Sequence, residues 1–184
     1  MAMFHRPTVA SLTASILAAL SAWSCQVPSW TYPSTVVALS NSPLHLVIDN
    51  EAPALDYFVL ADAQAKRWYT RDGLFRLNAA REVVHEATGM ALYPLITIPK
   101  DAIEIFVGED GRVLVRRVAE PEVHVEVGHI LIARFPNPAG LAPLSPTLFQ
   151  PQGASGPAVL GQPATRGRGQ LRSGVQELPA FVMP

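Results

Sequence analysis

Alternating apolar and polar residues in the middle of the chain predict strands rather than helices. From Trp68 to Leu77, apolar side chains recur at about every second position on both sides of Asp72-Gly73. A period of two is typical of a half-buried strand. Asp-Gly tolerates the positive φ angles of a type I′ turn, so this stretch is expected to form a hairpin. Val83-Val84 and the turn at Thr88-Gly89 extend it into a small β-meander.

A second hairpin is predicted over residues 103–118. Ile103, Ile105 and Val107 are expected to share one face of its first arm, and the run Gly108-Glu109-Asp110-Gly111 supplies the turn. Glycine at both ends of this run allows the chain to reverse direction. The hairpin is therefore expected to present one apolar and one polar face.

Other stretches complete the set of predicted strands. Residues 44–49 and 57–61 are expected to be the first two strands of the domain, and valines alternate with polar residues over 123–127. The run 129–135 is almost entirely apolar. A strand with two apolar faces is covered on both sides, so this run is expected to lie in the centre of a sheet.

Proline and glycine mark the borders of this region. The chain has 17 prolines, which disfavours a helical protein. We predict an all-β protein with a compact antiparallel domain at 44–150. A proline-rich linker at 25–43 precedes the domain, and a Gly/Pro-rich arm at 151–184 follows it, with edge strands near 147–150 and 170–175.

The first 24 residues are predicted to be a signal peptide. The apolar stretch at 8–23 is shorter than the ~20 residues of a bilayer span. Cleavage after Ser24 would leave Cys25 at the new N-terminus. Cys25 is therefore a candidate lipidation site, although Ala22 and Trp23 stand where a lipoprotein signal prefers leucine and a small residue. The alternative is an ordinary secretory peptide with an incidental cysteine.

Charge and cysteine content exclude several classes of function. A formal net charge of −1 gives no general field that would attract nucleic acid or anionic lipid. The single cysteine can neither form an internal disulfide nor hold zinc alone.

Two histidine-containing motifs resemble metal sites. Glu122, His124 and Glu126 have ligand-like spacing on one strand face, but a solvated face opposite three valines is the preferred explanation. Metal sites need three or four ligands, and the sequence shows no further ligand to complete one. His85-Glu86 begins like the zinc-protease helix motif, yet Gly89 stands where the second histidine belongs. We expect His85-Glu86 to be an exposed polar pair.

Three further motifs lack the neighbouring residues that their function requires. Ser155 lies in a sequence similar to a nucleophile elbow, but Pro157 replaces the required glycine. The run Gly167-Arg168-Gly169 is too short for a dinucleotide-binding loop. The arginines at 166, 168 and 172 lack interleaved aromatics for nucleic-acid binding and are expected to lie on a solvated arm.

The aromatic residues at strand spacing are expected to be core rather than a pocket lining; they are Tyr57, Phe58, Trp68, Tyr69 and Phe75. Consequently we predict no catalytic, cofactor-binding or metal-ligating residue, and no nucleic-acid partner.

An ordered series of short motifs runs through about 120 residues, from 57 to 177. The motifs are YTRDG (69–73), Phe75, Leu77-Asn78, Gly89, YPL (93–95), ITIP (96–99), GEDG (108–111), VG (127–128), FPNPAGL (135–141), ASG (154–156), GRGQL (167–171) and GVQE (174–177). In this order they resemble the flagellar hook and rod family, most closely its distal rod type.

The resemblance implies a β-rich outer domain carried on paired terminal helices that pack into a tube. It implies a structural, non-catalytic role in the basal body, with rod, hook or ring proteins as partners. The ends of this chain lack a helical pattern, so we expect those helices to be missing and the mature chain to be monomeric. Arg81 stands where the family usually has a turn glycine. If a positive φ is required there, Arg81 costs about 1 kcal/mol or adopts another turn.

Three functions remain open at this point. The first is a rod-like subunit of the basal body. The second is a secreted or lipid-anchored β module that binds the rod, its rings or the cell envelope without polymerising. The third is an enzyme, for which no residue set qualifies. The expected location is the basal body or the periplasm, with membrane contact only through the N-terminal segment.

Overall fold

The computed structural model describes residues 36–50 and 55–178. The predicted signal peptide and Cys25 lie outside this part of the chain. In the described residues, every regular element is a strand except one short 3-10 turn at Pro138–Gly140. The all-β prediction is therefore confirmed. The strands in chain order are β1 (Val36–Leu39), β2 (Leu46–Asp49), β3 (Asp56–Ala61), β4 (Arg67–Thr70), β5 (Phe75–Leu77), β6 (Val83–His85), β7 (Ala91–Leu92), β8 (Ala102–Val107), β9 (Arg112–Arg117), β10 (Glu120–His129), β11 (Ile132–Arg134), β12 (Ala142–Pro143), β13 (Leu148–Gln150), β14 (Val159–Gly161), β15 (Gln170–Ser173) and β16 (Val175–Leu178).

Strand β3 is the centre of the largest sheet, which has nine strands. One edge of β3 pairs with β4 along Phe58 to Ala61. The other edge is divided, because Asp56 to Phe58 pair with β11 while Leu60 and Ala61 pair with β7. The sheet therefore branches at β3, with β14 beyond β11 on one branch and β6 and β5 beyond β7 on the other.

Both faces of β3 are buried, in separate apolar clusters. Phe58 and Leu60 pack into the larger cluster, and Tyr57 and Val59 into the smaller one. This alternation follows from the two-residue period of a strand. Within the predicted central run at 129–135, β11 lies between β3 and β14, which confirms that expectation.

The predicted hairpin at Asp72-Gly73 is wrong. Strand β4 pairs with β3 and β13 rather than with β5. Instead, the chain crosses closely over residues 44–46 at the start of β2: Leu46 N donates to the Gly73 carbonyl at 2.9 Å. A Cβ added to Gly73 would lie 1.8 Å from the Leu46 carbonyl oxygen. Glycine is needed here for close approach of two backbones rather than for a turn.

Strand β4 instead forms a hairpin with β3. The connecting loop has Ala65 at φ 60°, and Asp62 Oδ1 accepts hydrogen bonds from the backbone N–H groups of Gln64 and Lys66 at 3.0 and 2.9 Å. A carboxylate that accepts hydrogen bonds from nearby backbone N–H groups favours a turn over a continued strand. The hairpin is therefore built by a loop that carries no glycine signal.

In the loop between β5 and β6, Arg81 keeps the glycine-like conformation instead of adopting another turn. Its φ is 62°, in the left-handed region that glycine occupies more easily. Arg81 Nε donates to the Ile98 carbonyl at 2.9 Å, and Ile98 N donates to the Arg81 carbonyl at 2.8 Å. These two bonds offset the conformational cost of a non-glycine residue.

The predicted hairpin at 103–118 is confirmed as β8 and β9, joined at Gly108 to Gly111. One detail is wrong: Ile103 does not share a face with Ile105 and Val107. The register shifts between Ala102 and Glu104, so Ile103 lies in a β-bulge and is 54% exposed. An extra bulge residue turns the following side chains to the opposite face.

Two strands of the Gly/Pro-rich segment after residue 150 pair with strands of the domain. Strand β14 pairs with β11, and β15 pairs with β2. Leu171, on β15, is buried in the larger apolar cluster. The strands expected near 147–150 and 170–175 are present as β13 and β15, although β13 is covered by β12 and is not at the edge.

Candidate functional site

The residues with metal-ligand spacing on β10 do not converge on a site. Glu122 and His124 are exposed, and the His124 ring packs edge-on against Phe106 at 4.8 Å. Glu126 lies 3.0 Å from His129 Nδ1. In the part of the chain that the structure describes, no three His, Cys, Asp or Glu side chains are grouped as metal ligands.

The expectation that His85 is exposed is wrong, whereas Glu86 is exposed as predicted. His85 is fully buried, with Nδ1 at 3.0 Å from Thr88 Oγ1 and Nε2 at 3.2 Å from Asp72 Oδ2. Burial raises the pKa of the Asp72 carboxyl, but hydrogen bonds from His85 and from the Leu74 N–H outweigh it and lower the pKa. The histidine thus ties the β6–β7 turn to the chain crossing.

Ser155 is a buried loop serine whose hydroxyl is used inside its own loop. Its Oγ donates to the Gln152 carbonyl at 2.7 Å and accepts from Gln152 N at 3.0 Å. Asn137 Nδ2 donates to the Ala154 carbonyl at 3.0 Å and fixes the same loop. This bonding stabilises a turn and leaves the hydroxyl committed to the backbone.

The aromatic residues form core, as expected. Tyr57 and Tyr69 both contact Phe135 edge-on, at 5.8 and 4.8 Å between ring centroids, and Phe58 contacts Phe75 at 5.2 Å. Trp68 is half-buried, and its Nε1 donates to Asp62 Oδ2 at 3.0 Å. Edge-to-face pairs of this kind stabilise a core beyond the apolar area they bury.

Of the three arginines predicted to lie on a solvated arm, Arg166 and Arg172 are exposed and Arg168 is half-buried. Arg168 Nη2 donates to the Val159 carbonyl at 3.1 Å. Arg172 Nε lies 3.3 Å from Asp49 Oδ2.

The most elaborate polar cluster surrounds Asp56, which sequence analysis did not single out. The Asp56 side chain is fully buried. Arg134 Nε donates to its Oδ1 at 2.9 Å, and Arg134 Nη2 donates to its Oδ2 at 2.8 Å. Asn50 Nδ2 and Gly169 N donate to Oδ2 at 2.7 and 2.9 Å. A buried carboxylate needs such compensation, because desolvating an unpaired charge is costly.

Arg71 extends this cluster to the backbone. Its Nη1 donates to the Asp56 carbonyl at 2.7 Å and to Asn50 Oδ1 at 2.9 Å. The sequence held a signal for the cluster: Arg134 is the one charge in the apolar run 129–135, and Asp56 opens the apolar strand β3. Opposite charges at the ends of two buried strands indicate a pair, although only the register shows that the strands are neighbours.

The two ends of the described chain leave the domain side by side. Strand β1 pairs antiparallel with β16, in a register from Leu39 opposite Val175 to Val36 opposite Leu178. We call this two-stranded element, β1 and β16, the exit ribbon. Leu39 is 93% exposed, so the ribbon carries apolar surface away from the core.

The described residues include no helix with the length and apolarity of a membrane span.

Comparison with known proteins gives a consistent relationship. The model of the flagellar hook protein FlgE/F/G D1 domain matches residues 55–115. The flagellar basal-body rod protein FlgG of Borreliella burgdorferi is 38% identical over 60% of this chain and 42% of its own length. The proteins of the same name from Caulobacter vibrioides and Agrobacterium fabrum are 35% and 33% identical, over 72% and 66% of this chain and 48% and 45% of their own lengths.

The chain spans less than half the length of these relatives. The residues that match the family model nevertheless contain β3 to β8 and most of β9. Through this β-rich region, the chain belongs to the flagellar hook and rod protein family.

Proposed function

We propose that this protein is a structural, non-catalytic component of the bacterial flagellar basal body, with the role of a rod-like subunit. The exit ribbon carries this proposal. Because β1 and β16 pair along their whole length, the described β domain is joined to both flanking segments at one place. That arrangement suits an outer domain mounted on paired chain segments, and the similarity to basal-body rod proteins supports it.

A structural role agrees with how the polar side chains are used. The buried ones, Asp56, His85, Thr70 and Ser155, bond to neighbouring residues of the same domain. Exposed apolar residues, by contrast, are spread over the surface, among them Leu95, Val118 and Leu144 at more than half exposure. Such residues supply contact area for protein neighbours. We propose other rod and hook proteins, and the rings around them, as those neighbours.

The predicted signal peptide favours a second candidate, a secreted or lipid-anchored β module. It would reach the periplasm through residues 1–24, carry lipid on Cys25 and bind the rod or the envelope without polymerising. Mass spectrometry of the native protein separates these cases. An N-terminus at Cys25 with a mass increase for diacylglycerol supports the anchored module, whereas an unprocessed N-terminus excludes it.

Fractionation of cells tests the primary proposal. Basal bodies purified from cells that express the tagged protein at its native level should contain it, and deletion of its gene should reduce swimming in soft agar. The variant Leu39→Asp places one charge in the exit ribbon. It should fold but be depleted from basal bodies. Exposed Val159→Asp, on β14, is the matched control. Absence of the wild-type protein from basal bodies together with normal swimming would refute the proposal.

A further inference from the structure

Residues 162–169 connect β14 to β15 and lie against the buried Asp56. We call them the latch loop. Its neighbours on both sides are strands of the domain, because β14 pairs with β11 and β15 pairs with β2. Gly169, at the end of the loop, is buried. The loop is thus anchored at two buried residues, Pro163 and Gly169, while its middle is largely exposed.

The latch loop has an unfavourable backbone. Ala164, Arg166 and Gly167 have φ angles of 55°, 50° and 71°. In this left-handed region of φ, a Cβ crowds the neighbouring carbonyl oxygen. Ala164 and Arg166 are therefore strained, whereas Gly167 is not. Local hydrogen bonds exist, including Ala164 N to the Gly169 carbonyl at 2.9 Å. A strained loop persists only where surrounding contacts hold its conformation.

Two of those contacts come from one ion pair. Gly169 N donates to Asp56 Oδ2 at 2.9 Å, and Arg134 Nη2 donates to the Gly167 carbonyl at 2.9 Å. The fit at Gly169 is close, since an added Cβ would lie 2.7 Å from both Asn50 Nδ2 and the Asp49 carbonyl oxygen. Both partners of the Asp56–Arg134 pair therefore bind the loop at its C-terminal end.

The loop leads directly into β15, the strand that leads out of the domain. Strand β15 continues through Gly174, at φ 72°, into β16 of the exit ribbon. At this junction Ser40 N donates to the Gly174 carbonyl at 2.7 Å. Strand β15 is also held by its pairing with β2, by Leu171 in the core and by the exposed Arg172–Asp49 pair. In addition, Leu171 N donates to the Glu109 carbonyl at 3.0 Å. Its position therefore sets where β16 leaves.

We propose that the Asp56–Arg134 pair is a latch for residues 162–173. With the pair bound to Gly167 and Gly169, the strained loop is closed and β15 is fixed on β2. Without these contacts, residues 162–173 open as one unit while the sheet around β3 stays folded. Local openings of this kind are a general property of proteins. The opening would free the exit ribbon to change direction, and the inference does not depend on the proposed function.

Hydrogen exchange measured by mass spectrometry on the full chain tests the latch. Gly169→Ala introduces a Cβ against the Asp49 carbonyl oxygen and against Asn50 Nδ2, which binds Asp56, without changing a charge. Asp56→Asn replaces a carboxylate oxygen by an NH₂ that faces donors. In both variants, amides of 164–173 should exchange at least about tenfold faster than in the wild type. In Gly169→Ala, amides of β4 and β9 should change less than about twofold. In Asp56→Asn, which also removes the ionic partner of Arg134, they should accelerate less than the amides of 164–173. Arg172→Met, which removes the exposed pair on β15, is the control and should resemble the wild type.

Two results would overturn the latch. In one, Gly169→Ala accelerates exchange equally in residues 164–173, β4 and β9, which shows that the segment does not open separately. In the other, neither variant accelerates exchange at 164–173. If Asp56→Asn does not fold, Gly169→Ala alone decides between these outcomes.

Discussion

Arg134 and Asp56 lie directly opposite each other on β11 and β3, and the guanidinium binds both carboxylate oxygens at 2.9 and 2.8 Å. The carboxylate is fully buried, while the arginine side chain is 28% exposed. The pair therefore fixes strand register at the point where the large sheet branches.

Removing one partner of this pair should be strongly destabilising. Arg134→Met leaves a buried carboxylate uncompensated, and we expect it to lower the free energy of unfolding by about 3–5 kcal/mol. Arg134→Lys should also lose stability, because an ammonium group cannot bind two oxygens in the same planar fork. Urea denaturation followed by circular dichroism gives both values. Arg172→Met, at an exposed pair, should cost less than about 1 kcal/mol; an equal cost at both sites would contradict the prediction.

Gly73 should tolerate no side chain. Gly73→Ala would place a Cβ 1.8 Å from the Leu46 carbonyl oxygen, so the crossing between 44–46 and 73–75 must separate. We expect a loss of at least about 3 kcal/mol in the free energy of unfolding, because a buried backbone crossing cannot relax cheaply. Gly153→Ala is the control, since nothing lies within 4 Å of its added Cβ. Thermal unfolding curves of the two variants should therefore differ clearly.

Asp-Gly at 72–73 also shows the limit of sequence reasoning for this chain. The strands themselves follow from local alternation, which is why β3, β8, β9 and β11 were predictable. Which strands pair is decided by contacts far apart in sequence, and the same glycine serves a hairpin turn or a close crossing equally well.

The buried polar residues were less predictable for the same reason. His85 looks like a solvated residue at a turn, because its partner Asp72 lies on another element. Asp56 and Arg134 are 78 positions apart, so neither residue's local sequence indicates the other. The aromatic core could be predicted without knowing which strands pair, because large apolar side chains at strand spacing are expected to be buried in any pairing.

Acid stability should depend on Asp72. Its pKa in the folded protein lies below the ordinary value of 3.8, because bonds from His85 and the Leu74 N–H outweigh the effect of burial. A depressed pKa contributes stability at pH values above the unfolded-state pKa, and this contribution is lost as pH falls through the folded-state pKa. The unfolding free energy of the wild type should therefore decrease below about pH 4.

Asp72→Asn isolates this contribution. Its stability should be lower than that of the wild type at pH 6, and the difference should shrink as the pH approaches 3. Equilibrium urea denaturation at pH steps between 3 and 6 measures both curves. A difference that stays constant over this range would show that the ionised carboxylate is not the cause.

The bulge at Ile103 predicts opposite outcomes for two neighbouring isoleucines. Ile103 is 54% exposed, whereas Ile105 packs against the larger apolar cluster. Ile103→Thr should change the free energy of unfolding by no more than about 0.5 kcal/mol. Ile105→Thr removes apolar contact and places a hydroxyl against the core, so it should cost about 1–2 kcal/mol. Equal losses would mean that both side chains share one face and that β8 has no bulge; chemical denaturation of the two variants under identical conditions decides the point.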